Sequence, residues 1–97
     1  EYEDGHIQIQ EDMTAEEPFP VHRWHLDVNH HVNNGQYVQM AAEYLPDGFV
    51  IRQMKAEYKK SALLGDVIYP EVKIDKNGGT VVLGDQDGKP YAVIEFR

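Results

Sequence analysis

Apolar and polar positions fall into a helical block and then a series of alternating blocks. Tyr37, Met40, Ala41, Tyr44 and Leu45 recur at i, i+3, i+4, i+7 and i+8, the stripe of one helix face. Val38 and Ala42 widen the stripe and leave Gln36, Gln39 and Glu43 for water. The spacing predicts a helix from His31 or Val32 to Leu45, stopped by Pro46-Asp47-Gly48. A helix this broadly apolar needs a sheet around it.

Beyond residue 48 the period drops to two. Residues 49–62 read as one long strand, in which Met54, Ala56, Tyr58 and Ala62 alternate with Lys55, Glu57, Lys59 and Ser61. Phe49 and Ile51 sit on the opposite parity, so a phase slip near Arg52-Gln53 implies a bulge or a strong twist. Gly65-Asp66 marks a turn. Residues 67–75 follow as a strand with Ile68, Val72 and Ile74 on one face, and Pro70 signals an edge or a bulge. Lys76-Asn77-Gly78-Gly79 predicts a turn, residues 80–83 a short strand, residues 85–89 a turn and residues 90–96 a closing strand.

Ahead of the helix the signals are shorter. Residues 6–10 alternate for a few positions. Pro18 and Pro20 bracket Phe19 and are expected to block regular structure until Val21. Residues 21–26 then read as a short strand that turns Trp24 and Leu26 inward. The order is strand, buried helix, four antiparallel strands, which is an α+β arrangement with a helix on one sheet face.

Composition narrows the class. At 97 residues this is one small domain, which buries about two-thirds of its unfolded surface and gains from a partner. There is no cysteine, so disulfides, zinc–thiolate sites and a thiol nucleophile are excluded. That fits a cytoplasmic location, as do the lack of a signal peptide and of an apolar run near the roughly 20 residues that span a bilayer. The first residue is Glu1, which suggests a fragment or a processed product. Net charge is −8, and residues 1–17 hold seven acids and no Lys or Arg. The remainder holds ten acids against nine bases. An acidic lead-in, residues 1–17, before a nearly neutral body, residues 18–97, argues against nucleic acid as a partner.

Candidate chemistry concentrates just before the helix, in Asp27-Val28-Asn29-His30-His31-Val32-Asn33-Asn34-Gly35-Gln36-Tyr37. A helix start exposes unpaired backbone N–H groups and stabilises negative charge developing on a carbonyl oxygen under attack. A carboxylate such as Asp27 serves as base or nucleophile, and an imidazole such as His31 moves protons near neutral pH. Asn29 carries both donor and acceptor groups and can orient water or a carbonyl. Alternate spacing at 27, 29 and 31 would put all three on one side of an extended entry loop. Asn33 and Asn34 stand equally as helix caps. Tyr37 and Tyr58 read as core residues with their hydroxyls satisfied locally. His22, His25, Asp27, His30 and His31 invite a metal reading, but His22 and His25 differ in strand parity and His30 and His31 are adjacent, so no metal is assigned.

Leu26-Asp27-Val28-Asn29-His30-His31-Val32-Asn33-Asn34, with Tyr37 behind it, resembles the signature of the acyl-acyl-carrier-protein (acyl-ACP) thioesterases. Glu57-Tyr58-Lys59-Lys60-Ser61-Ala62 is similar to a second stretch of that family. The resemblance covers residues 20–97. It implies a single hotdog fold, a long central helix wrapped by a curved antiparallel sheet, forming the C-terminal half of a double-hotdog protein. It implies hydrolysis of fatty acyl-ACP thioesters, with Asp27, Asn29 and His31 as the catalytic set and no cofactor. Asn33, Asn34, Tyr37 and Ser61 are the candidate substrate contacts.

The implied partners are an acyl carrier protein and either a second copy or the N-terminal hotdog half. Arg23, Arg52, Lys55, Lys59, Lys60 and Lys73 are candidates to meet the acidic carrier, or else a solvated outer face. The second stretch departs from the family: plant members carry Glu-Cys where this chain has Ser61-Ala62. That favours attack by water or by the Asp27 carboxylate. It also leaves two alternatives open, an acyl-coenzyme A thioesterase on the same fold and a non-catalytic acyl-binding module.

Overall fold

The computed structural model describes residues 12–28 and 30–97. The elements are β1 (Thr14–Ala15), β2 (Phe19–Pro20), a 3-10 turn (Arg23–His25), α1 (Asn34–Ala42), β3 (Met54–Tyr58), β4 (Val67–Asp75), β5 (Gly78–Gly84) and β6 (Pro90–Phe96). The antiparallel sheet runs β1-β4-β5-β6-β3, with β2 also on β4. The α+β expectation of one helix on one sheet face holds. Residues 6–10, read as alternating, lie outside the described residues.

The core follows the predicted parity. Ile68 of β4, Val81 and Leu83 of β5, and Ala92, Ile94 and Phe96 of β6 are all fully buried, and they pack with Tyr37, Met40 and Ala41 of α1. The helix lies against β5 and β6, the middle of the sheet. A smaller cluster of Val82 and Val93, with Met13 against it, forms apart from this core.

The helix is not long: it spans nine residues. Its start is displaced because His31 and Val32 are drawn into extended pairings, His31 with Leu63 and Val32 with Leu26. The chain turns helical only after Asn33, which is extended and caps the helix through Oδ1 on the Gln36 amide at 3.2 Å. At the other end, Tyr44 and Leu45 make three-residue turns onto the Ala41 and Ala42 carbonyls. Pro46 disfavours the α conformation at the residue before it and so ends the helix.

The expected strand over residues 21–26 is a 3-10 turn instead. The His22 amide donates to His25 Nδ1 at 2.9 Å, which closes the turn locally. Trp24 then stands 71 % exposed, its ring stacked on His22 at 4.3 Å, rather than inward. Nor do the prolines block pairing before it: Phe19 and Pro20 sit opposite Ile68 and Val67 at the sheet margin, where a missing N–H costs nothing. Pro70 follows the same logic. It lies between the stretch of β4 that pairs with β2 and the stretch that pairs with β1, and its carbonyl accepts from Glu16 N–H at 2.9 Å.

The long strand expected over residues 49–62 is cut to β3 by an irregularity at each end. Arg52 and Gln53 both donate to the Arg97 carbonyl, two residues facing one, as the phase slip implied. Lys59 and Lys60 both donate to the Tyr91 carbonyl in the same way. This second bulge ends the pairing with β6, and the chain beyond it, Ser61-Ala62-Leu63, pairs with His31-Val32 instead.

Candidate functional site

The stretch around Asp27 is a tight turn rather than an extended loop. The His30 amide donates to the Asp27 carbonyl at 3.0 Å, and the Asp27 amide donates to the His31 carbonyl at 2.9 Å. Leu26 and Val32 bridge directly below. His30 adopts the left-handed conformation, φ 65°, which this hairpin geometry demands of the residue closing a three-residue loop. The His31 amide, whose backbone acceptor is thereby taken, donates to Asp27 Oδ1 at 3.3 Å. Asp27 and His31 thus lie opposite each other on two arms, not in line along one side of an extended loop. Residues directly opposite in an antiparallel pair have Cβ atoms about 5 Å apart. Asp27 is half-buried and His31 exposed. Asn29 lies outside the described residues, so its place in the set rests on the resemblance.

A second segment supports this turn from beneath. The Val32 amide donates to the Ala62 carbonyl at 3.1 Å, and His31 bridges Leu63. The Ala62 amide donates to the Tyr37 hydroxyl at 2.8 Å, and Tyr37 and Ala62 are both buried. Desolvation pushes the Tyr37 phenol upward, the Ala62 N–H opposes that, and the charge of Asp66 adds to it. Asp66 Oδ2 accepts from the Leu63 amide at 2.9 Å and from the Tyr91 hydroxyl at 3.3 Å. Burial first, then the Asp66 carboxylate, pushes Tyr91 up to about 12.

Among the candidate substrate contacts, Asn33 caps α1, Asn34 opens it and is exposed, Ser61 is exposed beside buried Ala62, and Tyr37 is buried. The supporting residues Ala62, Leu63, Asp66 and Tyr91 were not among the candidates. Asp66 carried only a turn signal, and nothing local marks Ala62 as the acceptor and donor that ties two motifs together.

The other candidates scatter. Among the described residues no group of three His, Cys, Asp or Glu side chains is arranged to hold a metal ion. His22 and His25 serve the 3-10 turn, and desolvation, with His22 second, holds the His25 imidazole below its ordinary value. Phe19, Trp24, His25, Met40, Glu43 and Tyr44 are among the residues lining an open cleft of about 340 Å³ beside α1. Of the basic residues, Lys59 pairs with Glu57, Lys60 with Asp85 and Lys73 with Asp12, while Arg23 and Arg52 are exposed. The Lys60 hydrogen bond draws Asp85 down to about 2. No described helix is long and apolar enough to cross a membrane.

The fold has solved relatives. An acyl-ACP thioesterase from Bacteroides thetaiotaomicron superposes with a TM-score of 0.74 at 15% identity, over 93% of this chain and 41% of that one. The probable thioesterase YbaW from Escherichia coli gives 0.69 at 20% identity, over 86% and 78%. SAV2348 from Staphylococcus aureus, solved in complex with CoA, gives 0.67 at 16% identity, over 89% and 74%. At these identities the likeness is one of fold. The chain spans about two-fifths of the Bacteroides protein. A sequence search of curated proteins finds no match. The family model for the acyl-ACP thioesterase C-terminal domain matches residues 8–88, and the chain belongs to that family.

Proposed function

We propose that this domain carries the catalytic residues of an enzyme that hydrolyses fatty acyl-ACP thioesters to free fatty acids. The observation that carries the reading is the 27–31 turn, which ties a carboxylate to the backbone of a histidine two residues before a helix cap. In this reading Asp27 takes a proton from water as the water oxygen attacks the thioester carbonyl. The amides that open α1 at Asn34 and Gly35 precede the first intrahelical acceptors, and together with the positive end of the helix they suit the oxyanion. The carbon–sulfur bond then breaks, and the proton that Asp27 took from water passes by way of His31, which faces it across the turn, to the departing thiolate, leaving both groups as they began. Asn29, carried by the resemblance, orients the water. Asn33, Asn34 and Ser61 contact the substrate around the turn.

Two partners belong to the proposal. The acidic carrier protein meets the exposed Arg23 and Arg52, since Lys59, Lys60 and Lys73 are already paired with acids. The second hotdog unit, from another copy or from the N-terminal half, joins along β3, which ends the sheet and leaves Met54 and Tyr58 about 40–45 % exposed.

The test is the rate of hydrolysis by the intact protein on matched acyl-ACP and acyl-CoA thioesters. A higher kcat/KM on the carrier substrate supports the reading. Preference for acyl-CoA favours the second reading, for which the fold shared with the CoA-bound Staphylococcus aureus protein speaks. Acyl binding without turnover of either would replace both with a binding role.

A further inference from the structure

We propose that Tyr37 is a positioning residue for the hydrolytic step, acting through the backbone of Ala62 on His31. The proposal rests on the thioesterase reading for its kinetic consequence but not for its structural one. The polypeptide closes a circuit here. Val32 leads directly through the Asn33 cap into α1, and Tyr37 sits one turn along that helix. From Tyr37 the hydroxyl crosses to the Ala62 amide at 2.8 Å, and the Ala62 carbonyl returns to the Val32 amide at 3.1 Å. His31 lies in the same circuit through its bridge to Leu63.

The circuit matters because Ser61-Ala62-Leu63 has left the sheet. The double donation of Lys59 and Lys60 to the Tyr91 carbonyl is the last pairing of this segment with β6. Beyond it, the segment is held by its pairing with the 31–32 arm, by Asp66 on the Leu63 amide and by Tyr37 on the Ala62 amide. The tyrosine bond is the one anchored in the buried core, since Tyr37 is 1 % and Ala62 0 % exposed. Removing the hydroxyl leaves a buried N–H without its acceptor, which drives the segment to shift toward another one. A shift of residues 62–63 moves His31 relative to Asp27, and small displacements of a catalytic group cost disproportionately in rate.

The experiment uses the intact protein with Tyr37→Phe, His31→Gln and the double variant. We expect Tyr37→Phe to lower kcat about 10- to 100-fold with KM changed less than about twofold. On the His31→Gln background the same substitution should leave kcat unchanged, because its effect passes through His31. A wild-type kcat for Tyr37→Phe, or a full additive loss on the His31→Gln background, overturns the proposal. Hydrogen exchange is read in parallel: the amides of Val32 and Ala62 should exchange faster in Tyr37→Phe, and unchanged exchange at both overturns it. If the wild-type protein hydrolyses no thioester, the functional reading fails while exchange still decides the clamp. Should Tyr37→Phe not fold, 3-fluorotyrosine at position 37 keeps the hydroxyl and weakens it as an acceptor. A wild-type rate and wild-type exchange with that residue overturn the proposal as well.

Discussion

The His31 amide donates to the Asp27 carboxylate at 3.3 Å, and the Asp27 amide donates back to the His31 carbonyl at 2.9 Å. The carboxylate therefore holds the turn, and under the proposed function it has a second, separable duty as the base. Asp27→Asn keeps an acceptor oxygen and removes the base and nucleophile. We expect its melting temperature to stay near wild type while hydrolysis falls at least about 100-fold. Asp27→Ala loses the turn bond as well and should give up about 1 kcal/mol of stability in addition. An unchanged rate in Asp27→Asn would show that Asp27 does no chemistry.

His30 pays for the same turn with backbone strain. At φ 65° it holds a conformation that costs a non-glycine residue about 1–2 kcal/mol. Glycine removes that cost but loses roughly 0.5–1 kcal/mol to its freer unfolded chain. His30→Gly should therefore be neutral or up to about 1.5 kcal/mol more stable, and His30→Val clearly less stable, by urea unfolding. The opposite order would mean that the His30 side chain, not its backbone, shapes the turn.

The strands were legible where apolar alternation is bounded by turn residues. β4 and β6 have the expected limits, and β5 extends the expected 80–83 only by its flanking glycines. The slip at Arg52-Gln53 could be read because Phe49 and Ile51 change parity around it. The slip at Lys59-Lys60 could not, because both residues are polar and no apolar marker changes face. The helix start was misplaced because Val32 satisfies the helical stripe as well as an extended pairing, and only the distant Ala62 decides between them. For residues 21–26 the alternation was accidental: a local bond from His22 to His25 overrides a strand of so few residues. The Asp27–His31 pair was visible in the motif. The Tyr37–Ala62 bond and the Asp66 staple span 25 residues or join groups with only a turn signal, so nothing local announces them.

His25 gives the fold a dependence on pH. Its imidazole accepts from the His22 amide and is held below its ordinary value of about 6.5 by burial and by His22. As pH falls through about 6.5 the unfolded chain takes up a proton that the folded chain still refuses, so unfolding gains. The contribution is complete above about 6.5 and is lost progressively as pH drops toward the lowered folded value. Between pH 7.5 and 5 the melting temperature of wild type should therefore fall more than that of His25→Gln. Parallel curves would show that His25 does not titrate differently on folding.

Gly78 opens β5 opposite Asp75 at φ 111°, beside the end of β6. A Cβ there would lie 2.2 Å from the Phe96 carbonyl oxygen and 2.9 Å from its carbon, both backbone atoms with little room to yield. Gly88, in the turn before β6, shares a positive φ of 83° but has open space around it. Gly88→Ala should thus cost only the left-handed backbone, about 1–2 kcal/mol. Gly78→Ala should cost that and the overlap together. Relief requires the chain at Phe96-Arg97 to move, and the Arg97 carbonyl is what Arg52 and Gln53 both bond ahead of β3. The damage should therefore appear in two places: a larger loss of stability than in Gly88→Ala, and faster hydrogen exchange at the Arg52 and Gln53 amides. Equal losses in the two alanine variants, with protected amides at 52 and 53, would mean that β6 has slack at its end and does not fix the start of β3.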